Sequence, residues 1–334
     1  MNNKYLKRIL KILLWGAGII ISLAIVFVIL VNITPIPTSL VIRKIFDKSP
    51  ATKPSNYENF YNKVHVVKNL EYPSKYKDNK ADLYLPKTGD SFPIIIWVHG
   101  GGFVGGDKTD TKEYATMLSS YGYAVLSINY QRAPELNYPN QLKQLEEAYN
   151  YLVSISSSYN IDISNLFFAG DSAGAHLVAQ FSLIQTSTEY ANKINFNQVV
   201  PKKDIKGLLL YCGPFNVSKI SEIKNRYISF IFSQAAWAYF GNKNWEKLYG
   251  DITTIKNHVT KDYPPVFITD GNTLSFEEHA RELVTVLENK EIFVSSYFIP
   301  KEIKAIHEYQ FKLDTDIGMK SLDLTLEFLE QYKK

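Results

Sequence analysis

Phe168-Ala169-Gly170-Asp171-Ser172-Ala173-Gly174 decides the fold of this chain, because it reads as a buried strand running straight into a helix through a corner that holds a serine. Upstream, Asn165-Leu166-Phe167-Phe168 is the short apolar run of a strand covered on both faces. Downstream, Ala175 to Phe181 has helical apolar spacing. In that setting G-x-S-x-G is a sharp, strained turn that lifts a hydroxyl clear of a sheet. Positions 170 and 174 must be small, since a side chain at either would collide with neighbouring backbone. Ser172 is the candidate nucleophile. Alone, the pattern also fits a tight turn with a solvated serine; its flanks separate the two readings.

Outward from this corner the chain alternates. Residues 93–98, 123–130, 165–169, 205–211, 265–269 and 292–299 read as strands, and 111–121, 139–157, 175–186, 276–289 and 319–332 as helices. Such alternation predicts an α/β fold with a mostly parallel sheet covered on both faces. Two earlier runs, 64–67 and 81–86, are joined by a polar turn and predict an antiparallel edge. The alternation breaks once. About fifty residues separate Tyr211 from Pro265 and include Tyr227 to Phe232 and Trp237 to Phe240, which predicts a helical cap over about 214–262 able to form an apolar pocket.

The chain has 334 residues, 46% hydrophobic, enough for one large domain. Its net charge of +4 arises from Lys4, Lys7, Arg8 and Lys11; the remainder is formally balanced, so nothing points to nucleic acid. The single cysteine, Cys212, rules out an intrachain disulfide and a four-cysteine metal site, and lies in an apolar strand pattern as a small core residue. Ile12 to Ile33 carry no charge, and at ~1.5 Å per residue this stretch reaches ~33 Å as helix, enough for a bilayer core of ~30 Å. A cleaved signal peptide is the competing reading, but Val31-Asn32-Ile33-Thr34-Pro35 offers no small-residue cleavage site. The expected organisation is a basic tail (1–11), a transmembrane anchor (12–33), a linker (34–62) and a catalytic domain (63–334). Basic residues before the span place the N-terminus in the cytoplasm and the domain outside, as would suit a bacterial envelope.

Directly after the strand ending at Val98 comes His99-Gly100-Gly101-Gly102-Phe103. Glycines at the end of a parallel strand leave N–H groups free to approach a ligand, either the oxyanion of an attacked carbonyl or a pyrophosphate. Gly100, Gly102 and Gly105 do satisfy G-x-G-x-x-G, but a dinucleotide site needs an acid at the end of the next strand, which reads Ile128-Asn129-Tyr130-Gln131. A P-loop fails too, since Asp107 separates Gly106 from Lys108.

Together, His99-Gly100-Gly101-Gly102, Gly170-Asp171-Ser172-Ala173-Gly174 and Tyr130-Gln131-Arg132-Ala133-Pro134-Glu135 resemble the hormone-sensitive-lipase-like branch of the α/β-hydrolase superfamily, over roughly residues 93–320. The resemblance implies a carboxylesterase in which Ser172 attacks the acyl carbon and the N–H groups of Gly101, Gly102 and Ala173 hold the oxyanion. It implies no metal and no organic cofactor, and an ester substrate, small or lipid-like. The superfamily's chain order puts the base after the last strand, where His307 is the only histidine; His65, His176, His258 and His279 have no strand-end context and read as structural or solvated.

The third catalytic member departs from the branch's Gly-x-x-Asp-x-Leu. Aligning Leu274 with that leucine puts Asn272 at the acid position. Asp270 is the first candidate, then Glu277, then Asn272 as a neutral orienting group; Ser275 and Glu278 fit a capping box, which gives Glu278 a helix-start role. The expected activity is a membrane-anchored serine carboxylester hydrolase. The alternatives are an amidase or acyltransferase on the same site, or a binding protein that kept the fold and lost the chemistry.

Overall fold

The structure, a computed structural model, describes residues 3–46, 51–223 and 225–333; residues 47–50 of the expected linker and 224 of the expected cap lie outside these. Its elements in chain order are α1 (Asn3–Ile33), α2 (Ile36–Phe46), α3 (Tyr57–Tyr61), β1 (Val64–Glu71), β2 (Lys80–Pro86), β3 (Phe92–Val98), α4 (Lys112–Ser120), β4 (Ala124–Ile128) and α5 (Asn140–Ile155). There follow β5 (Ile161–Asp171), α6 (Ala173–Thr186), α7 (Thr188–Lys193), β6 (Ile205–Tyr211), α8 (Arg226–Phe240), α9 (Trp245–Thr253), β7 (Val266–Asp270), α10 (Glu277–Asn289), β8 (Val294–Phe298) and α11 (Asp316–Tyr332).

The eight strands form one sheet in the order β1-β2-β4-β3-β5-β6-β7-β8. β1, β2 and β4 pair antiparallel, and every pairing from β4 through β3 to β8 is parallel. Successive side chains on a strand point to opposite faces, and the core divides accordingly. Ile94, Ile96 and Val98 of β3 face a layer that includes α5, α6, α10 and the cap, whereas Ile95 and Trp97 face Tyr114 and Met117 of α4 and Leu322, Phe328 and Leu329 of α11. Burial on both faces is why these strands are apolar throughout rather than alternating.

Parallel pairing brings the ends of β3, β5, β6, β7 and β8 to one edge. Val98 pairs with Gly170, Asp171 with Tyr211 and Asp270 with Phe298. Beyond that edge, Ser172 N donates to Tyr211 O at 2.8 Å and Cys212 N to Thr269 O at 2.9 Å. Between β6 and β7 the chain leaves the sheet to form α8 and α9, which lie over the same edge.

α1 starts at Asn3, earlier than the uncharged stretch alone predicts, because the lysines and leucines before Ile12 are good helix formers. Its Lys7–Ile33 portion is long and apolar enough to cross a membrane, and the most apolar window of it is wholly unburied by the rest of the chain.

Candidate active site

The corner at Ser172 is as strained as its sequence demands. Ser172 has φ 50° and ψ −117°, outside the regions open to ordinary side chains. A Cβ on Gly170 would overlap the backbone of Gly174, and one on Gly174 would overlap the carbonyls of Val98 and His99. The elbow therefore touches the glycine loop directly. In that loop Gly101 (φ 101°) and Gly102 (φ 59°) adopt left-handed backbone, and Gly101 O accepts N–H bonds from Val104 and Gly105. The Tyr130–Glu135 segment braces it from behind: Tyr130 stacks on His99 with ring centroids 4.5 Å apart, and Ala133 N donates to Phe103 O at 2.9 Å. Among the described residues, no acceptor is bonded to the N–H of Gly101 or Gly102, and the N–H of Ala173, in the first turn of α6, has no partner within the helix.

His307, on the loop between β8 and α11, reaches this corner. Its Nε2 lies 3.0 Å from Ser172 Oγ. Its Nδ1 meets the hydroxyl of Ser275 at 2.7 Å, and that hydroxyl also bonds Asp270 Oδ1 at the end of β7. A serine has one proton to give. With Asp270 as acceptor, Ser275 donates to the carboxylate and accepts the Nδ1 proton of His307, which leaves a lone pair on Nε2 facing Ser172. Four side chains thus stand in line: Ser172, His307, Ser275, Asp270. Burial pulls the His307 imidazole down to about 4, so it is neutral at pH 7, and pushes the Asp270 carboxyl up to about 7 against the opposing hydrogen bond from Ser275.

Three expectations change. Ser275 is not the first residue of a capping box: Phe276 occupies the N-cap position of α10 without a side-chain cap, and the Ser275 hydroxyl points the other way, into the line just described. Glu277 pairs with Arg281 one turn along α10 at 2.7 Å, and neither of these bonds involves His307. Asn272 clamps the segment before His307: its amide donates to Pro300 O at 3.1 Å and Ile303 O at 2.8 Å, and its oxygen accepts from Ala305 N at 3.0 Å. Of the three acid candidates, Asp270 alone connects to His307, and does so through a hydroxyl that sequence reasoning had assigned elsewhere. The available signal was position: Ser275 follows β7 closely enough to stand beside its last residue.

A second acidic pair borders the site. Asp171 accepts hydrogen bonds from Trp97 Nε1 and Gly100 N, each at 2.8 Å, which ties the elbow to the glycine loop. Glu308, with φ 60°, turns its carboxyl onto Asp171 and to within 3.7 Å of His307 Nε2. Burial, and next the Asp171 carboxylate beside it, push the Glu308 carboxyl well above its ordinary range, and burial raises the Asp171 carboxyl to about 7. Cys212, Asp270 and His307 each offer a donor atom within 4.8 Å of the others. Ser275 already bonds both His307 Nδ1 and Asp270 Oδ1, and burial pushes the Cys212 thiol well up, which disfavours the thiolate a cation would need. His176 is buried with Nε2 on Thr253 O at 2.8 Å, and His99 bonds Gly100 O.

α8 crosses above the corner. Its Ala235 lies near the Cβ position of Gly102, Tyr239 stacks on Phe103 at 4.0 Å, and Phe232 packs on Phe276 at 4.6 Å, whose ring stands edge-on to His307 at 5.7 Å. A groove of about 310 Å³ runs between the start of α8 (Asn225, Ile228) and Leu274, Ser275 and Phe276.

A family model described as BD-FAE matches residues 81–276. The chain is 30% identical over 110 residues to an Acanthamoeba polyphaga mimivirus protein named "Putative alpha/beta hydrolase R526", a match that covers 32% of each, so the chain spans about a third of that relative's length. Among solved structures it is similar to esterase B from Lactobacillus rhamnosis (TM-score 0.70, 21% identity, 83% of this chain and 90% of that one). It is also similar to EstE1, a thermophilic carboxylesterase from a metagenomic library (TM-score 0.66, 15% identity, 91% of this chain and all of that one). At such identities these structures establish the fold. With more than half its length inside the family model, and with the glycine loop and elbow of the hormone-sensitive-lipase-like branch, the chain belongs to the BD-FAE family of the α/β-hydrolase superfamily.

Proposed function

We propose that this chain is a membrane-anchored serine esterase that cleaves carboxylic esters through an acyl-enzyme on Ser172. The observation that carries the reading is the 3.0 Å contact of Ser172 Oγ with His307 Nε2, at an elbow pressed against a glycine loop. Neutral His307 takes the Ser172 proton as Oγ attacks the acyl carbon, and the N–H groups of Gly101, Gly102 and Ala173 donate hydrogen bonds to the oxyanion. The tetrahedral adduct collapses, the C–O bond to the alcohol breaks, and His307 returns the proton to the leaving oxygen. Water then attacks the acyl-enzyme by the same steps in reverse roles, with Asp270 stabilising each imidazolium through the Ser275 hydroxyl. The similarity to esterase B and EstE1 agrees with this chemistry.

Anchoring by α1 is part of the proposal. Its support is the uncovered apolar length of Lys7–Ile33, with basic residues on its N-terminal side. The test uses the full chain in detergent: Ser172→Ala should lose hydrolysis of short p-nitrophenyl esters and labelling by a fluorophosphonate while keeping its thermal unfolding transition. Retention of activity would reject the serine mechanism. Release of the unaltered chain from membranes by an alkaline wash would reject the anchor.

A further inference from the structure

α2 carries apolar residues on two faces, with the exposed Lys44 among those of the outer one. One face, with Ser39, Ile42 and the half-buried Arg43 and Phe46, packs on the domain, while Ile36, Leu40, Val41 and Ile45 on the other face are each about half exposed or more. A row of exposed apolar residues calls for an apolar surrounding, and a lysine among them can carry its charge to the headgroup level while its stem stays in lipid. Here one face has the protein and the other has water, unless lipid covers it.

What covers it follows from its neighbour. Only Thr34 and Pro35 separate α2 from α1, whose apolar surface is itself uncovered. The end of α1 is also pinned to the cap: Gln234 of α8 donates to Val31 O at 3.3 Å and Lys243 to Asn32 O at 2.7 Å. Tyr227 (83% exposed) and Phe230 (48% exposed) lie on the face of α8 that carries Gln234, two turns and one turn before it respectively. The exposed faces of α2 and α8 therefore continue from the point where the span ends.

The same two helices border the reaction site. Phe46 of α2 lies against the Cβ positions of Gly102 and Gly105 of the glycine loop, and Arg43 holds α2 there through Val104 O at 2.6 Å, Ala133 O at 2.8 Å and the Glu135 carboxylate. The groove toward Ser275 opens between Ile228 of α8 and Leu274, and Leu274 is about half exposed. We infer that the α2–α8 face lies in the bilayer at the end of α1, and that the substrate is an acylated lipid drawn from that leaflet into the site rather than a water-soluble ester. This rests on the esterase reading above. An ester partitioned into lipid meets the site at the concentration of the membrane phase, and Ile228, Leu274 and Phe276 line the groove on its way to Ser275.

The experiment uses the full chain in phosphatidylcholine vesicles that carry a diacylglycerol with a fluorescent acyl chain, beside p-nitrophenyl acetate in the water. Leu40→Glu combined with Val41→Glu charges the outer face of α2 without touching the catalytic groups. Hydrolysis of the vesicle-borne ester should fall by roughly tenfold or more, since interfacial binding scales with buried apolar area, while p-nitrophenyl acetate is cleaved at an unchanged rate. An undiminished rate on the vesicle-borne ester overturns the inference, and so does an equal loss on both substrates. Leu40→Cys carrying an environment-sensitive dye reads the face without any activity, because the other cysteine, Cys212, is buried. Its emission should shift to the blue in vesicles, and a water-like spectrum overturns the inference. If the unaltered chain leaves p-nitrophenyl acetate intact, the esterase reading falls and the substrate class with it, and the dye alone then decides the membrane face.

Discussion

Ser275→Ala tests whether the hydroxyl between His307 and Asp270 carries catalysis. The substitution removes the acceptor of the Nδ1 proton and the donor to Asp270 Oδ1, and leaves both end groups in place. Two effects must be separated. Donor atoms of Asp270 and His307 lie within 4.8 Å of each other, and at an effective dielectric near 20 unit charges at that separation attract by roughly 3 kcal/mol. This direct attraction survives the substitution. The hydrogen bonds do not, and a bond to a charged group contributes ~1.5–3 kcal/mol, so kcat should fall by ~10- to 100-fold. Asp270→Asn removes the charge itself and should cost more, toward the ~10⁴ seen when the acid of a serine protease triad becomes an amide. Because the two residues act as a unit, the double variant should be no slower than Asp270→Asn alone. There is a second readout. Burial already raises Asp270 to about 7, so activity should climb with pH through that region as the carboxylate forms. Losing the Ser275 donor withdraws support from the charged form, so the acid limb should move to higher pH. The assay is kcat against pH on a soluble p-nitrophenyl ester, with the rate of fluorophosphonate labelling as a check on Ser172. A Ser275→Ala rate within threefold of the unaltered chain, an unmoved acid limb, or a loss larger than that of Asp270→Asn would each refute the four-residue line.

Asp270→Asn should also stabilise the fold in alkali. The native acid holds its proton up to about 7 while the unfolded one releases it near its ordinary 3.8, so the penalty is absent at pH 3, grows between the two values and reaches about 4 kcal/mol above them. Thermal unfolding at pH 8.5 should therefore shift upward in the variant and at pH 3 should not; equal transitions at both would show that the carboxylate is not desolvated. Glu308→Gln keeps a neutral donor toward Asp171 and should leave the rate near pH 7 unchanged. In the unaltered chain, loss of the Glu308 proton at high pH puts a negative charge 3.7 Å from His307 Nε2, so its rate should fall on the alkaline side, and a pH profile of the variant that still falls there would remove Glu308 from the account. Gly174→Ala should not yield folded protein, since its Cβ would overlap two carbonyls, whereas Gly18→Ala, with open space around it, should express normally.

The parts of this molecule that were readable from residues share a property: each is decided by its immediate neighbours along the chain. The central stretches of β3, β5, β6 and β7 (94–98, 166–169, 208–210 and 266–268) are apolar because both of their faces are covered, and the elbow needs glycines because 170 and 174 lie within one turn of each other. The histidine could be placed by chain order, since it must follow the last strand. The acid arrangement could not. Ser275 followed three residues later by Glu278 satisfies a local capping rule, and only the arrival of His307 from 32 positions away turns its hydroxyl toward β7 instead. Asn272 looked like a displaced catalytic residue, yet the loop it clamps is defined by Pro300 and Ile303. The pairing of Asp171 with Glu308 joins two segments that no spacing relates.

α2 was legible only as a short helix in a linker lying against the membrane or the domain, and for a different reason. Amphipathic periodicity reports a helix with one dry face and one wet face. Ile42 and Phe46 against the domain, and Leu40, Val41 and Ile45 on the opposite side, cancel that signal and leave a stretch that resembles a linker. The cancellation is itself informative. A helix that buries one face in protein and keeps the other apolar has two dry neighbours, and only one of them, the domain, is encoded in this chain. The exposed side of α2 is thus the place where the fold of the catalytic domain and the membrane-crossing length of α1 stop being separate questions, because Arg43 and Phe46 brace the glycine loop while Ile36, Leu40, Val41 and Ile45 of the same helix lie exposed next to the end of the span.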